Sequence, residues 1–210
     1  MSLPSIAPYA LPAAGELPKT RARWQPDPSR AALLIHDMQK YFLRIYPAGA
    51  PLEPATANIV AIRAACRDLG IPVFYTAQIG EQDRRDRGLQ ADLWGPGMSR
   101  RAEHEPIIDA LAPAADEFVL VKHRYSAFQR SNLDAQMRAR GRDQLIISGV
   151  YAHIGCQLTA AEAFMRDIEP FFVADALADF TREQHVDSLK YVADVCGVPL
   201  TTAQLLDFLK

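Results

Sequence analysis

An aspartate and a lysine stand directly after apolar segments of this sequence, where an unpaired charge is costly. Asp37 follows the run AALLIH at 31–36, and Lys122 ends the run EFVLVK at 117–122. Because buried charges are stable only when they are paired or used chemically, both side chains are candidates for a functional site. A carboxyl group in such a site can act as a general acid, and an ammonium group can bind an anion.

Further candidates are the polar residues that leave each apolar run. In an open parallel sheet, ligands bind in the crevice outside the carboxyl ends of the strands. A lone histidine at such an end is more often held by a backbone partner than used in chemistry, so His36 and His153 are interpreted as structural. The residues that leave these runs are His36, Asp37, Met38, Gln39, Gln78, Lys122, His123, Arg124, Tyr125, Tyr151, Ala152, His153 and Asp175.

Strand-like and helix-like segments alternate from Ala31 onwards. Such alternation predicts a parallel sheet with helices on both faces, joined by right-handed crossovers. We therefore predict one doubly wound, Rossmann-like α/β domain of about six strands over 31–210, preceded by a proline-rich arm over 1–30 that is laid along it. The strand-like runs span 31–36, 71–77, 117–122, 144–150, 170–176 and 198–201, and the helical patterns span 53–69, 103–111, 132–139, 156–167, 182–195 and 202–209.

Composition and motifs exclude several classes of protein. The 210 residues are 49% hydrophobic and 23% charged with a formal charge of −2, which argues for a globular protein and against a nucleic-acid or anionic-membrane surface. No apolar stretch approaches the ~18 residues of a membrane helix. Cys66, Cys156 and Cys196 form no C-x-x-C pair, so we expect no disulfide framework, no cysteine zinc site and a cytoplasmic location. Neither G-x-G-x-x-G, G-x-S-x-G nor a metal-binding histidine pair is present, which argues against a dinucleotide site, a serine hydrolase and a metal site.

Seven segments together resemble the isochorismatase family. The resemblance runs from about residue 3 to the C-terminus with the segments in order, and within the family they are similar to the isochorismate pyruvate-hydrolase branch of siderophore and phenazine pathways. The resemblance implies a cofactor-independent hydrolase that cleaves the enolpyruvyl ether of isochorismate to pyruvate and 2,3-dihydro-2,3-dihydroxybenzoate. The segments are LLIHDMQKYF, YTAQ, LWGPGM, VKHRYSAF, GVYAHIGC, AFMRDIEPFFVADALADF and HVDSLKYVA.

The resemblance also implies roles for nine residues. Asp37 resembles the general acid that protonates the vinyl ether, and Lys122 and Arg87 resemble the groups that hold the two substrate carboxylates. An enol ether is protonated at its terminal carbon before water attacks, so one positioned carboxylic acid suffices for this chemistry. The other matching positions are the polar Gln78, Tyr125, Tyr151 and Gly155 and the apolar Phe42 and Trp94.

One position departs from the wider superfamily. Its nicotinamidase-type amidohydrolases resemble this chain but use a cysteine nucleophile in the motif G-[VLI]-x-T-[DE]-x-C, where GVYAHIGC has Gly155, with Cys156 one residue beyond. One residue on a helix turns a side chain by about 100°, so Cys156 is predicted to face away from the substrate. Amide hydrolysis through Cys156 is therefore the more distant alternative.

Substrate and assembly are left open by the residues. The same reaction on 2-amino-2-deoxyisochorismate, the phenazine-type substrate, needs no motif that differs from those seen here. The resemblance implies a homodimer, and docking to a ligase or a separate carrier protein of the pathway is open. We expect no aryl carrier domain, because the chain ends at Lys210.

Overall fold

Six parallel strands form the centre of the computed structural model, which describes residues 5–210. Their order in the sheet is β3-β2-β1-β4-β5-β6, so the chain winds outward from β1 to one edge and then from β4 to the other. The predicted doubly wound sheet is confirmed, with its switch point between β1 and β4. The strands are β1 (Ala31–His36), β2 (Val73–Ala77), β3 (Phe118–Val121), β4 (Gln144–Val150), β5 (Glu169–Ala178) and β6 (Val198–Leu200).

Both faces of the sheet are covered, which explains why β1 reads as a continuous apolar run. Every residue of β1 is buried, and its side chains alternate between two core clusters. Helices α2 and α8 pack on one face, and α5, α6 and α7 pack on the other. The helices are α1 (Lys40–Leu43), α2 (Leu52–Asp68), α3 (Arg84–Arg87), α4 (Gln90–Trp94), α5 (Leu133–Arg138), α6 (Gln157–Phe164), α7 (Arg182–Val195) and α8 (Thr202–Phe208).

The helix predicted over 103–111 is wrong. This segment forms turns, and only Asp109–Leu111 makes a short 3-10 helix. Pro106 cannot donate a backbone hydrogen bond, and its carbonyl accepts instead from the Lys40 N–H at 2.9 Å. Ile107 bridges Gln39 in antiparallel fashion, so the segment is held against the start of α1 rather than by its own backbone.

Three short helices that periodicity did not reveal follow the first two strands. Helix α1 comes after β1, and α3 and α4 come after β2. Asp83 caps α3 by accepting hydrogen bonds from two backbone N–H groups, and Gly88 and Gly95 end α3 and α4 with φ of 58° and 69°. Four or five residues are too few to show a helical period, so local capping and tertiary packing define these turns.

Candidate active site

The carboxyl ends of the central strands open into a pocket. All nine residues singled out in the sequence line this pocket, although they come from six separate parts of the chain. The site lies at the sheet edge where the strand order reverses, as expected for this architecture. The lining residues are Asp37, Tyr41, Phe42, Gln78, Arg87, Gln90, Trp94, Lys122, Tyr125, Tyr151, Ile154, Gly155 and Phe180.

A buried ion pair forms the charged end of the pocket. The Lys122 Nζ lies 2.5 Å from Asp37 Oδ2, and these side chains are only 4% and 7% exposed. Asp37 immediately follows β1 and adopts a φ of 52°, which is uncommon for a residue other than glycine. The carboxylate is thereby aimed across the sheet edge at the lysine that follows β3.

Thr76 holds the second oxygen of this carboxylate and was missed in the sequence. Its hydroxyl donates to Asp37 Oδ1 at 2.6 Å and accepts from the Asp37 backbone N–H at 3.1 Å. Thr76 pairs in register with His36 on the neighbouring strand, so a sheet register could have placed it beside Asp37. The two contacts fix the rotation of the Asp37 side chain.

Arg87 supplies a second cation to the pocket. It is the last residue of α3, is only 6% exposed, and donates from Nε to the Gly95 carbonyl at 2.5 Å. Burial lowers the pKa of Arg87, because the charged form loses its hydration. Gly97 makes room for it, since a Cβ at that position would lie 2.6 Å from the guanidinium carbon. A partly dehydrated guanidinium that faces a pocket favours binding of a carboxylate.

Aromatic side chains form much of the remaining pocket lining. Trp94 donates from Nε1 to the Tyr125 hydroxyl at 2.6 Å, and the Tyr151 hydroxyl donates to the Phe42 carbonyl at 2.7 Å. Phe180, which the sequence did not single out, packs against Tyr151 with ring centroids 4.3 Å apart. These contacts give a largely apolar aromatic surface against which a ring can pack.

Gln39 positions Gln78 at the pocket. The Gln39 amide accepts from the Gln78 backbone N–H at 2.7 Å and donates to the Gln78 carbonyl at 2.8 Å. It also donates to the Glu105 carbonyl at 2.6 Å, which ties the segment before Pro106 to the same place. These hydrogen bonds hold only the backbone of Gln78, and its side chain faces the pocket.

Gly155 lines the pocket on the π-helical turn Ala152–Cys156 that follows β4, and the His36 ring packs directly against it. A Cβ at Gly155 would lie 2.1 Å from His36 Cε1. His36 is fully buried, its Nδ1 lies 2.8 Å from the Val150 carbonyl, and burial lowers its pKa to about 4. The ring is therefore neutral near pH 7 and fills the space beside the turn.

Cys156 lies outside the pocket, as the one-residue offset predicts. Its side chain is fully buried within the core cluster that α6 and α7 cover. Burial raises the pKa of the Cys156 thiol well above its ordinary range, so the thiolate is not available near pH 7.

Four pocket-lining residues also escaped the sequence reasoning: Tyr41, Gln90, Ile154 and Phe180. Tyr41 and Gln90 lie on the short helices α1 and α4, and Phe180 follows β5. Strand β5 extends to Ala178, two residues beyond the predicted end, and the strand-end rule applied there would have found Phe180.

Within residues 5–210, no group of three or more His, Cys, Asp or Glu side chains is arranged to hold a metal ion. In the same part of the chain, every helix is too short or too polar to cross a membrane.

A solved structure shares this fold. The crystal structure of a cysteine hydrolase from Pseudomonas syringae pv. phaseolicola 1448A matches with a TM-score of 0.79 and 28% identity, over 91% of this chain and 97% of that chain. The fold and the pocket thus define a hydrolase built on a doubly wound α/β sheet.

Sequence relatives narrow the class to one family. The model of the isochorismatase domain matches residues 31–204. The isochorismatase of Bacillus subtilis (strain 168) is 53% identical over 211 aligned residues, covering 100% of this chain and 68% of that protein. Phenazine biosynthesis protein PhzD of Pseudomonas fluorescens is 47% identical over 204 residues, covering 97% of this chain and 98% of that protein. The chain belongs to the isochorismatase family.

Proposed function

We propose that this protein hydrolyses the enolpyruvyl ether of isochorismate, which yields pyruvate and 2,3-dihydro-2,3-dihydroxybenzoate. The observation that carries the proposal is the buried Asp37–Lys122 pair, which faces a pocket that also holds Arg87 and an aromatic wall. The pocket provides one carboxyl group for proton transfer, two cations for a dicarboxylate and an aromatic surface for a ring. The name of the Bacillus subtilis relative supports the same activity.

Asp37 is the general acid in this mechanism. Its proton goes to the terminal CH₂ of the enol ether, and the adjacent carbon becomes an oxocarbenium ion. Water adds to that carbon and returns a proton to Asp37, and the hemiketal then breaks its C–O bond to give the ketone of pyruvate and the ring hydroxyl. Thr76 holds the carboxyl oriented through Oδ1 during these steps.

Lys122 and Arg87 are assigned to the substrate carboxylates. General-acid catalysis requires a proton on Asp37, whereas the structure pairs this carboxylate with Lys122. A bound dianion draws the ammonium towards its own carboxylate and adds negative charge beside Asp37. The Asp37 carboxyl is thereby released from the ion pair with Lys122 and can face the enol ether.

The remaining lining residues complete the binding surface. Gln78, Tyr125 and Tyr151 offer polar atoms to the substrate, and Phe42 and Trp94 pack along its ring. Gly155 lines the pocket with its backbone, because a side chain at this position would collide with the His36 ring.

Hydrolysis of 2-amino-2-deoxyisochorismate is the second candidate. It uses the same ether chemistry, and the relative named phenazine biosynthesis protein PhzD matches this chain over 98% of its own length. Amide hydrolysis through Cys156 is disfavoured because this thiol is buried in the core.

The test measures pyruvate release from isochorismate and from its 2-amino analogue, in excess chelator, for the wild type, Asp37→Asn and the control Cys156→Ala. General-acid loss is expected to lower kcat by about 10²- to 10⁴-fold in Asp37→Asn. Cys156→Ala is expected to keep kcat within about twofold, because the thiol does not reach the pocket. Full activity in Asp37→Asn, or loss in Cys156→Ala with an intact fold, would contradict the mechanism.

Location and assembly complete the proposal. We place the protein in the cytoplasm, a choice supported by its three free, buried cysteines. We expect a homodimer, supported by the edge strand β3, which exposes Val119 and Val121. Pathway enzymes such as a ligase or a separate carrier protein are the proposed partners. Light scattering and pull-down with the purified chain test these points.

A further inference from the structure

The proline-rich arm contacts two segments that carry aromatic residues of the pocket. Ile6 is buried and donates its backbone N–H to the Ile45 carbonyl at 3.4 Å, just beyond the helix that carries Phe42. Tyr9 reaches the segment that follows β5, where Phe180 lies. The arm therefore contacts the chain close to Phe42 and close to Phe180, two aromatic residues that line the pocket.

Tyr9 makes the central contact of the arm. Its hydroxyl accepts from the Asp179 backbone N–H at 2.7 Å and lies 3.2 Å from His185 Nδ1. His185 is fully buried, and burial lowers its pKa to about 4, so its ring is neutral near pH 7. Burial raises the pKa of Tyr9, which keeps the hydroxyl protonated. The contact is a neutral hydrogen-bonded cluster that spans 170 residues of sequence.

Asp179 joins this cluster to the pocket. The residue is fully buried, and its carboxylate accepts three hydrogen bonds. Oδ2 accepts from the His153 backbone N–H at 2.7 Å, and Oδ1 accepts from the Phe180 backbone N–H at 2.8 Å. His153 Nδ1 also lies 2.6 Å from Oδ1. One carboxylate therefore ties Phe180 to the turn that contains Ile154 and Gly155.

We infer that Tyr9 and Asp179 are positioning residues, through which the N-terminal arm fixes Phe180 and the Ala152–Cys156 turn against the pocket. Phe180 packs on Tyr151 and lies 6.5 Å from the Trp94 ring, so a shift of Phe180 changes the wall along which a ring would lie. Neither residue lines the pocket. The kinetic part of this inference rests on the proposed function, whereas the structural part does not.

The test compares Tyr9→Phe with Thr20→Val. Each variant removes one hydroxyl of the arm, but the Thr20 hydroxyl donates to the Gly197 carbonyl at 3.0 Å, away from the pocket. One lost hydrogen bond changes an equilibrium by roughly 2- to 10-fold. In Tyr9→Phe we expect amide hydrogen exchange at Asp179 and Phe180 to accelerate by about that factor. We also expect KM to rise about 2- to 10-fold while kcat stays within about twofold. Thr20→Val is expected to leave these quantities unchanged.

Phe180→Leu provides a double-mutant cycle. If Tyr9 acts through Phe180, the KM effect of Tyr9→Phe shrinks when Phe180 is already replaced. Additive effects overturn the assignment, as does faster exchange with an unchanged KM. If amide hydrogen exchange at Asp179 is unchanged in Tyr9→Phe, the arm does not hold this segment, and the inference fails whatever the substrate is. A wild type that releases no pyruvate refutes the proposed function alone, because the exchange rates need no substrate and still test the arm.

Discussion

Gly155→Ala adds one methyl group at the most crowded point of the pocket. The new Cβ would lie 2.1 Å from His36 Cε1 and 2.8 Å from Nε2, whereas ordinary contacts begin near 3.4 Å. The backbone conformation at Gly155 is open to alanine, so only the contact with His36 opposes the change. The ring must therefore move by about 1 Å or the turn must shift.

The cost follows from how firmly His36 is held. The ring is fully buried, and its Nδ1 lies 2.8 Å from the Val150 carbonyl. Overpacking a core costs about 1–3 kcal/mol, and weakening one hydrogen bond adds about 1 kcal/mol. We expect the free energy of unfolding to fall by about 2–4 kcal/mol, which corresponds to roughly 4–16 °C in Tm for a protein of this size.

Urea or thermal unfolding measures this loss. Gly15→Ala is the matched control, because a Cβ there meets nothing within 4 Å, and its effect should stay within about 0.5 kcal/mol. Adding His36→Ala to Gly155→Ala removes the clash, so the double variant should be more stable than the two single effects predict. Wild-type stability in Gly155→Ala, or strict additivity with His36→Ala, would refute the steric argument.

Stability should depend on pH through the buried histidines. His36 and His185 have folded-state pKa values of about 4 against about 6.5 when unfolded, so the unfolded chain binds protons first as the pH falls. The free energy of unfolding, measured in urea, should reach its highest value above pH 6.5 and fall between pH 6.5 and 4 by up to about 3 kcal/mol per histidine. A free energy of unfolding that does not change over this pH range would contradict the prediction.

Local sequence patterns located the regular elements better than the loops. Helix α7 was predicted with the observed limits, since Thr181 caps it and its apolar residues repeat at helical spacing. The segment 103–111 has helix-like apolar spacing, yet its backbone pairs with residues 38–40 because Pro106 lacks a donor. In such a segment, backbone hydrogen bonds to distant residues outweigh the local helix propensity.

The sequence by itself determined the parallel sheet and the residue types that line the pocket. Continuous apolar runs such as β1 require cover on both faces, and the carboxyl ends of parallel strands must share one edge. This reasoning, together with the family resemblance, brought Asp37, Lys122 and their neighbours to one place.

Only the tertiary structure decided the contacts between distant segments. Thr76 on Asp37, the His36 ring on Gly155 and Tyr9 on Asp179 each join residues from different parts of the chain. Such contacts depend on register and side-chain rotation, which are set when the whole core packs. A local pattern carries no record of which distant side chain fills a given space.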